Sequence, residues 1–171
     1  MKSGVITGNT CIAEYANGGG VGVWSDGVFT MSGGVISGNT VVSGEYARGG
    51  GVVVQYAVFT MKGGTIAGNT TIAADTSFGG GGGVCVDKYS TFTLQGGTIY
   101  GSDAAAKACG TANETKNSKG VSVSSGAALS VVWGGITKWG TGGKYTKGGV
   151  PQTGGSAIAT TDETLIAIPK R

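Results

Sequence analysis

The phrase Gly34-Val35-Ile36-Ser37-Gly38-Asn39-Thr40 stands midway between GVITGNT at 4–10 and GTIAGNT at 64–70, so Asn9, Asn39 and Asn69 fall at steps of 30 residues. A period in that range marks a stacked-repeat architecture. Working outward from the phrase, the whole unit recurs. Phe29-Thr30-Met31, Phe59-Thr60-Met61 and Phe92-Thr93-Leu94 align, each followed after one residue by a glycine pair. Upstream, a glycine run opens a short β-branched stretch in each copy: Val21-Gly22-Val23, Val52-Val53-Val54 and Val84-Cys85-Val86. A fainter fourth copy keeps Gly97-Thr98-Ile99, places Ser102-Asp103 at the Asn-Thr position and resumes at Gly120-Val121-Ser122-Val123 after a polar insertion near 104–119.

Each unit thus holds three strand-sized runs with apolar residues at alternate positions, separated by Gly, Asn and Ser, and no run fits a helix. Strands that recur in one direction at a fixed interval are parallel, and parallel crossovers are right-handed almost without exception. The expectation is an all-β fold, a right-handed parallel β-helix with about 30 residues per coil. Coils about 4.8 Å apart place like on like. Ile6, Ile36, Ile66 and Ile99 form one expected interior column, Phe29, Phe59 and Phe92 a second, and Met1, Met31, Met61 and Leu94 a third. Asn9, Asn39 and Asn69 are expected to stack as an amide ladder at a corner. Residues 1–140 then make four to five coils, the first incomplete, and 141–171 make a loop followed by a capping strand near Leu165–Ile168.

Composition narrows the function classes. Glycine supplies 37 of 171 residues with only 2 prolines, about three times the usual share of roughly 7% but without a collagen period. No apolar run is long enough for a membrane-spanning helix. The absence of histidine removes Ser-His triads and His metal ligands. Cys11, Cys85 and Cys109 are odd in number and lack metal-ligand spacing. Cys85, between two inward valines, is expected to be an exposed thiol. Residues 1–103 carry four basic and six acidic side chains, and 104–171 carry eight and three. The basic end interleaves Lys138, Lys144 and Lys147 with Trp133, Trp139 and Tyr145, a pattern that suits a glycan or polyanion surface. It equally suits aromatic residues closing the end of a solenoid.

The GGGVxV, FTMxGG and xISGNT phrases, at Gly49–Val54, Phe29–Gly34 and Val35–Thr40, resemble the right-handed β-helix repeats of large bacterial cell-surface and adhesin-like proteins. More distantly they are similar to the repeats of chlamydial polymorphic outer-membrane proteins. The likeness covers 1–103 well and 104–135 loosely. It implies a secreted or surface-exposed protein, surface display or adhesion, and glycan or protein partners, with no nucleic-acid partner expected. The same β-helix also carries pectate lyases and related polysaccharide-cleaving proteins, so a carbohydrate-active enzyme is the rival reading. Such enzymes need carboxylates clustered on one outer face.

One candidate exists: Glu14, Glu45 and Asp75 each precede their glycine run by four residues, which would line three carboxylates along adjacent coils as a Ca²⁺ column. The competing reading of this stretch is a mobile loop with screened charges, and no other cofactor is expected. Ice binding is a third class, because Thr30, Thr60 and Thr93 should form an outward column. Their neighbours Ser32, Lys62 and Gln95 do not extend it into a paired threonine face. Because Met1 aligns with Met31 and Met61, the chain is expected to open in mid-coil, as the C-terminal part of a longer surface protein, with an open first coil prone to end-to-end association.

Overall fold

The computed structural model describes residues 1–74, 80–123, 126–131, 136–139, 144–147, 150–153 and 161–168; at 105, 136–139, 144–147, 150–153 and 168 it describes the backbone only. In chain order, β1 (Val5–Thr7), β2 (Thr10–Asn17) and β3 (Val21–Trp24) make a first circuit. A second follows with β4 (Val28–Met31), β5 (Val35–Ser37), β6 (Thr40–Arg48) and β7 (Val52–Gln55). The third holds β8 (Val58–Ala67), β9 (Thr70–Ala73) and β10 (Val84–Val86). The fourth has β11 (Thr91–Ile99), the short helix α1 (Ala104–Ala108), β12 (Glu114–Asn117) and β13 (Leu129–Val131). Last come β14 (Ile136–Trp139), β15 (Lys144–Lys147), β16 (Val150–Thr153) and β17 (Leu165–Ile168). The described chain is nearly all β.

Three sheets collect these strands, and each circuit visits them in the same order. The first sheet contains β1, β4, β5, β8, β11 and β14 in parallel, joined by the antiparallel trio β17, β15 and β16; the second is β12-β9-β6-β2; the third is β13-β10-β7-β3. Register follows the repeat. Ile6 pairs with Ile36, Ile36 with Ile66, and Ile66 with Ile99. Phe29, Phe59 and Phe92 stack with ring centroids 5.1 and 5.0 Å apart, inside the offset-stacking range that adds to plain burial. Met31, Met61 and Leu94 pair in the adjacent row. All three and Ile36, Ile66, Ile99, Phe59 and Phe92 are fully buried, in one core with Val52, Val54, Val84, Val86 and Leu129 of the third sheet.

The Asn-Thr corner and the glycine run are two halves of one contact. Asn9 Nδ2 donates to Asn39 Oδ1 at 2.8 Å, Asn39 Nδ2 to Asn69 Oδ1 at 2.9 Å, and Asn69 Nδ2 to Asn113 Oδ1 at 3.0 Å. Each acceptor also takes the backbone N–H of the preceding Asn, so each buried amide satisfies backbone that the turn would leave unpaired. Under the ladder there is room only for glycine. A Cβ at Gly51 would lie 2.6 Å from the Gly83 carbonyl oxygen, 3.0 Å from Asn69 Nδ2 and 3.1 Å from Ile66 Cγ2. Gly20 and Gly83 meet Asn39 and Asn113 in the same way.

Three features differ from the sequence reading. First, the stretch between Asn-Thr and the glycine run is strand and not loop: β2 and β6 pair from Thr10↔Thr40 to Asn17↔Arg48, with a register shift after Ala13 that absorbs the extra residue Gly44. Their second halves return toward the third sheet and enclose a small satellite core of Ala16, Val41, Ala47 and Ala73, with Cys11 against it.

Second, the end of this limb at Arg48 and the glycine run that follows lie against the outer face of the third sheet, and Cys85 is fully buried rather than exposed. A Cβ at Gly18 would touch Val53 Cγ1, and one at Gly81 would touch Cys85 Cβ. Burial, with the nearby Asp87 carboxylate, pushes the Cys85 thiol up to about 12, against a smaller opposing effect of Arg48. That leaves it a protonated, inert packing residue at neutral pH.

Third, the fourth valine-type strand is Leu129–Val131, which pairs with Val84–Val86, and not Val121–Val123. Residues 118–123 instead reverse onto β12: Asn117 N–H donates to the Val121 carbonyl and Val123 N–H to Thr115. The ladder position expected at Ser102-Asp103 belongs to Asn113. Asp103 caps α1, accepting from Ala106 N–H at 2.9 Å, and its other oxygen accepts from Thr164 N–H at 2.9 Å. At the far end, β17 pairs antiparallel with Gly97–Ile99 while β14 continues the parallel register on Thr91–Leu94. Leu165, opposite Ile99, is fully buried and closes the isoleucine column.

Candidate ligand-binding surface

The glutamates of the proposed acidic column sit where β2 and β6 bend, and both are exposed. Beside them Tyr15 and Tyr46 pair across the two strands, with ring centroids 4.9 Å apart and planes tilted 54°. The Glu14 carboxylate, and after it Glu45, hold the Tyr15 phenol above its ordinary value. Asp75, the third member, lies outside the described residues. Among the described residues no group of three His, Cys, Asp or Glu side chains comes together.

Behind the tyrosines the strand is anchored to the third sheet. Arg48 Cζ lies 4.4 Å from the Tyr46 ring centroid, and its Nη1 meets Asp87 Oδ2 at 3.1 Å with both side chains almost fully buried. A buried guanidinium–carboxylate pair is costly to break from one side, so Tyr46 is held on a fixed base. Sequence reading missed this anchor, because Arg48 and Asp87 are 39 residues apart, one ending β6 and the other just past β10.

The basic C-terminal candidates separate. Trp133 lies outside the described residues. Lys138 and Trp139 are on β14, at the register positions of Thr93 and Leu94. Lys144 and Tyr145 are on β15, opposite Ile168 and Ala167 of β17. Since β17 stands between β15 and β11, the two lysine–aromatic pairs occupy different strands of the first sheet and do not lie on adjacent ones. On the outer side of that sheet, Thr30, Thr60 and Thr93 pair in register. Val28 and Val58 beside them are exposed, as is Lys62, so a threonine pair occurs only at Thr91 and Thr93.

A further aromatic group, not singled out from the sequence, occupies the corner between the third and first sheets. Asp26 N–H donates to the Tyr56 carbonyl at 2.6 Å, and Tyr56 N–H to the Lys88 carbonyl at 3.0 Å, so three successive circuits meet there. The Tyr56 and Tyr89 rings are 5.5 Å apart, and Lys88 Nζ lies 5.5 Å from the Tyr89 ring centroid. Tyr89 is 73% exposed and Tyr56 44%. The signal was present: Asp26, Tyr56 and Tyr89 each stand three residues before the phenylalanine of the Phe-Thr strand.

The chain matches no known family model, no curated protein and no solved structure. Its class therefore rests on its own geometry. Among the described residues no helix is long and apolar enough to cross a membrane.

Proposed function

We propose that the three sheets close into a right-handed β-helix that serves as an extracellular or cell-surface scaffold, non-catalytic, displaying side chains for adhesion to glycans or proteins. The observation that supports it most directly is the division between inward and outward residues. The inward ones, Asn39, Asn69, Gly51, Ile36 and Phe59, are consumed in packing and the amide ladder. Chemistry that can meet a partner, the Tyr15–Tyr46 pair with Glu14 and Glu45, projects at the bend of β2 and β6 on a buried Arg48–Asp87 base. A shared core spanning the first and third sheets, with a corner ladder between the first and second, fits closure into a helix. The right hand follows from the rule for parallel crossovers. The likeness of the repeat phrases to bacterial adhesin-like β-helices supports the surface role.

The competing reading is a polysaccharide lyase built on the same helix. A carbohydrate array combined with a lyase assay on acidic polysaccharides separates the two. The scaffold reading expects binding without cleavage, and release of unsaturated products would contradict it.

A further inference from the structure

In the first three circuits left-handed backbone recurs at four corners, and at three of them the residue is always glycine. Gly4, Gly34, Gly64 and Gly97 fill one, Gly8, Gly38 and Gly68 a second, and Gly18, Gly49, Gly81 and Gly126 a third, all at positive φ. The fourth corner departs from this. There the positive-φ residues are Ser25 and Asp26 (φ 47° and 66°), Tyr56 (φ 51°) and Tyr89 (φ 54°). A bulky residue in this region is an outlier that costs free energy glycine avoids. Burial does not account for the choice, since Tyr89 is 73% exposed and Tyr56 44%. The contact between the two rings, 5.5 Å apart with planes tilted 38°, offsets part of the strain, but a glycine pair would carry no strain to offset.

Strain retained at a solvent-facing side chain points to a task outside folding. We infer that Asp26, Tyr56, Lys88 and Tyr89 form a binding ridge for a neutral polysaccharide chain lying along the stack of circuits. Tyrosine rings offer apolar faces to pyranose rings, and their hydroxyls remain wet. Lys88 donates hydrogen bonds only and the Asp26 carboxylate accepts only, so together they match sugar hydroxyls of both roles. Their charges cancel, which favours an uncharged chain over a uronate or sulfated one. Successive circuits are about 4.8 Å apart, so the ridge presents one recognition group per circuit to a linear polymer of rings. This inference rests on the display reading and assigns it a ligand class at a corner separate from the Tyr15–Tyr46 bend.

Affinity electrophoresis of the full chain through gels containing β-glucan, galactomannan or xylan, with polygalacturonate as the acidic comparison, tests it. At least one neutral polymer should retard the wild type, and retardation should persist in high salt. The double substitution Tyr56→Gly/Tyr89→Gly should weaken that binding at least about tenfold while raising the melting temperature. Lys88→Gln should weaken it without changing the melt. A wild type retarded by no neutral polymer would overturn the proposal, as would retardation by polygalacturonate alone that salt abolishes. A double variant that melts lower than wild type would show that the tyrosines serve the fold. If the double variant binds as well as wild type, the ridge is wrong and the display reading stands.

Discussion

In the first half of the molecule partner strands stand 30 or 31 residues apart, as in Val5↔Val35, Thr40↔Thr70 and Val21↔Val52, whereas in the second half Thr70 pairs with Glu114 and Val84 with Leu129, steps of 44 and 45. The difference shows what the architecture demands and what it tolerates. Interior positions do not change: Asn113 takes the ladder place of Asn69, Leu129 that of Val84, and Ile99 that of Ile66. Nearly all the additional residues leave the stack at one point, between the first and second sheets, where they form α1. The run that reverses onto β12 before the third sheet fills a connection only one residue longer than that between Thr70 and Val84. Loop length enters closure entropy only logarithmically, so a dozen extra residues cost far less than one misplaced core side chain.

The largest expected effect lies in the regular half. Phe59 is fully buried between Phe29 and Phe92, and Phe59→Ala should cost about 3–5 kcal/mol in a denaturant melt. Thr60→Ala, outward on the same strand, should cost under about 0.5 kcal/mol. Equal costs for the two would mean the inward and outward faces are misassigned.

A sharper test compares the two halves directly. Asn69 accepts from Asn39 N–H and Nδ2 and donates to Ile36 and Asn113; Asn113 accepts from Asn69 N–H and Nδ2 and donates to Ile66 and Tyr100. Four bonds are lost in either alanine variant, so Asn69→Ala and Asn113→Ala should each cost about 2–4 kcal/mol. A much smaller cost at Asn113 would show that the expanded circuit is attached loosely and does not share the ladder.

How far the fold could be read in advance follows the same division. Where one 30-residue phrase repeats, its alternation places Ile36 and Phe59 inward and Thr60 outward, and the structure has them so. The expanded circuit defeated the reading because Val121-Ser122-Val123 alternates like a strand of the third sheet yet reverses onto β12. Local pattern cannot distinguish two uses of one alternation. Cys85 failed for a different reason. Alternation assigns a residue to a face but says nothing of what covers that face, and the end of β6 at Arg48, paired with Asp87, lies far from Cys85 in sequence. Tyr56 and Tyr89 were visible as residues, but their left-handed backbone was not.

The account depends on one register above all: the expanded circuit rejoins the third sheet at Leu129–Val131, with Cys85 beside Ser130. Adjacent parallel strands lie about 4.8 Å apart, within disulfide reach. Ser130→Cys, placed in a background of Cys11→Ser and Cys109→Ser and refolded under oxidising conditions, allows peptide mapping to read that register. Linkage of Cys85 to the new cysteine is the predicted result. A free thiol at 130, together with linkage of Cys85 in the parallel Ser122→Cys variant, would contradict the account.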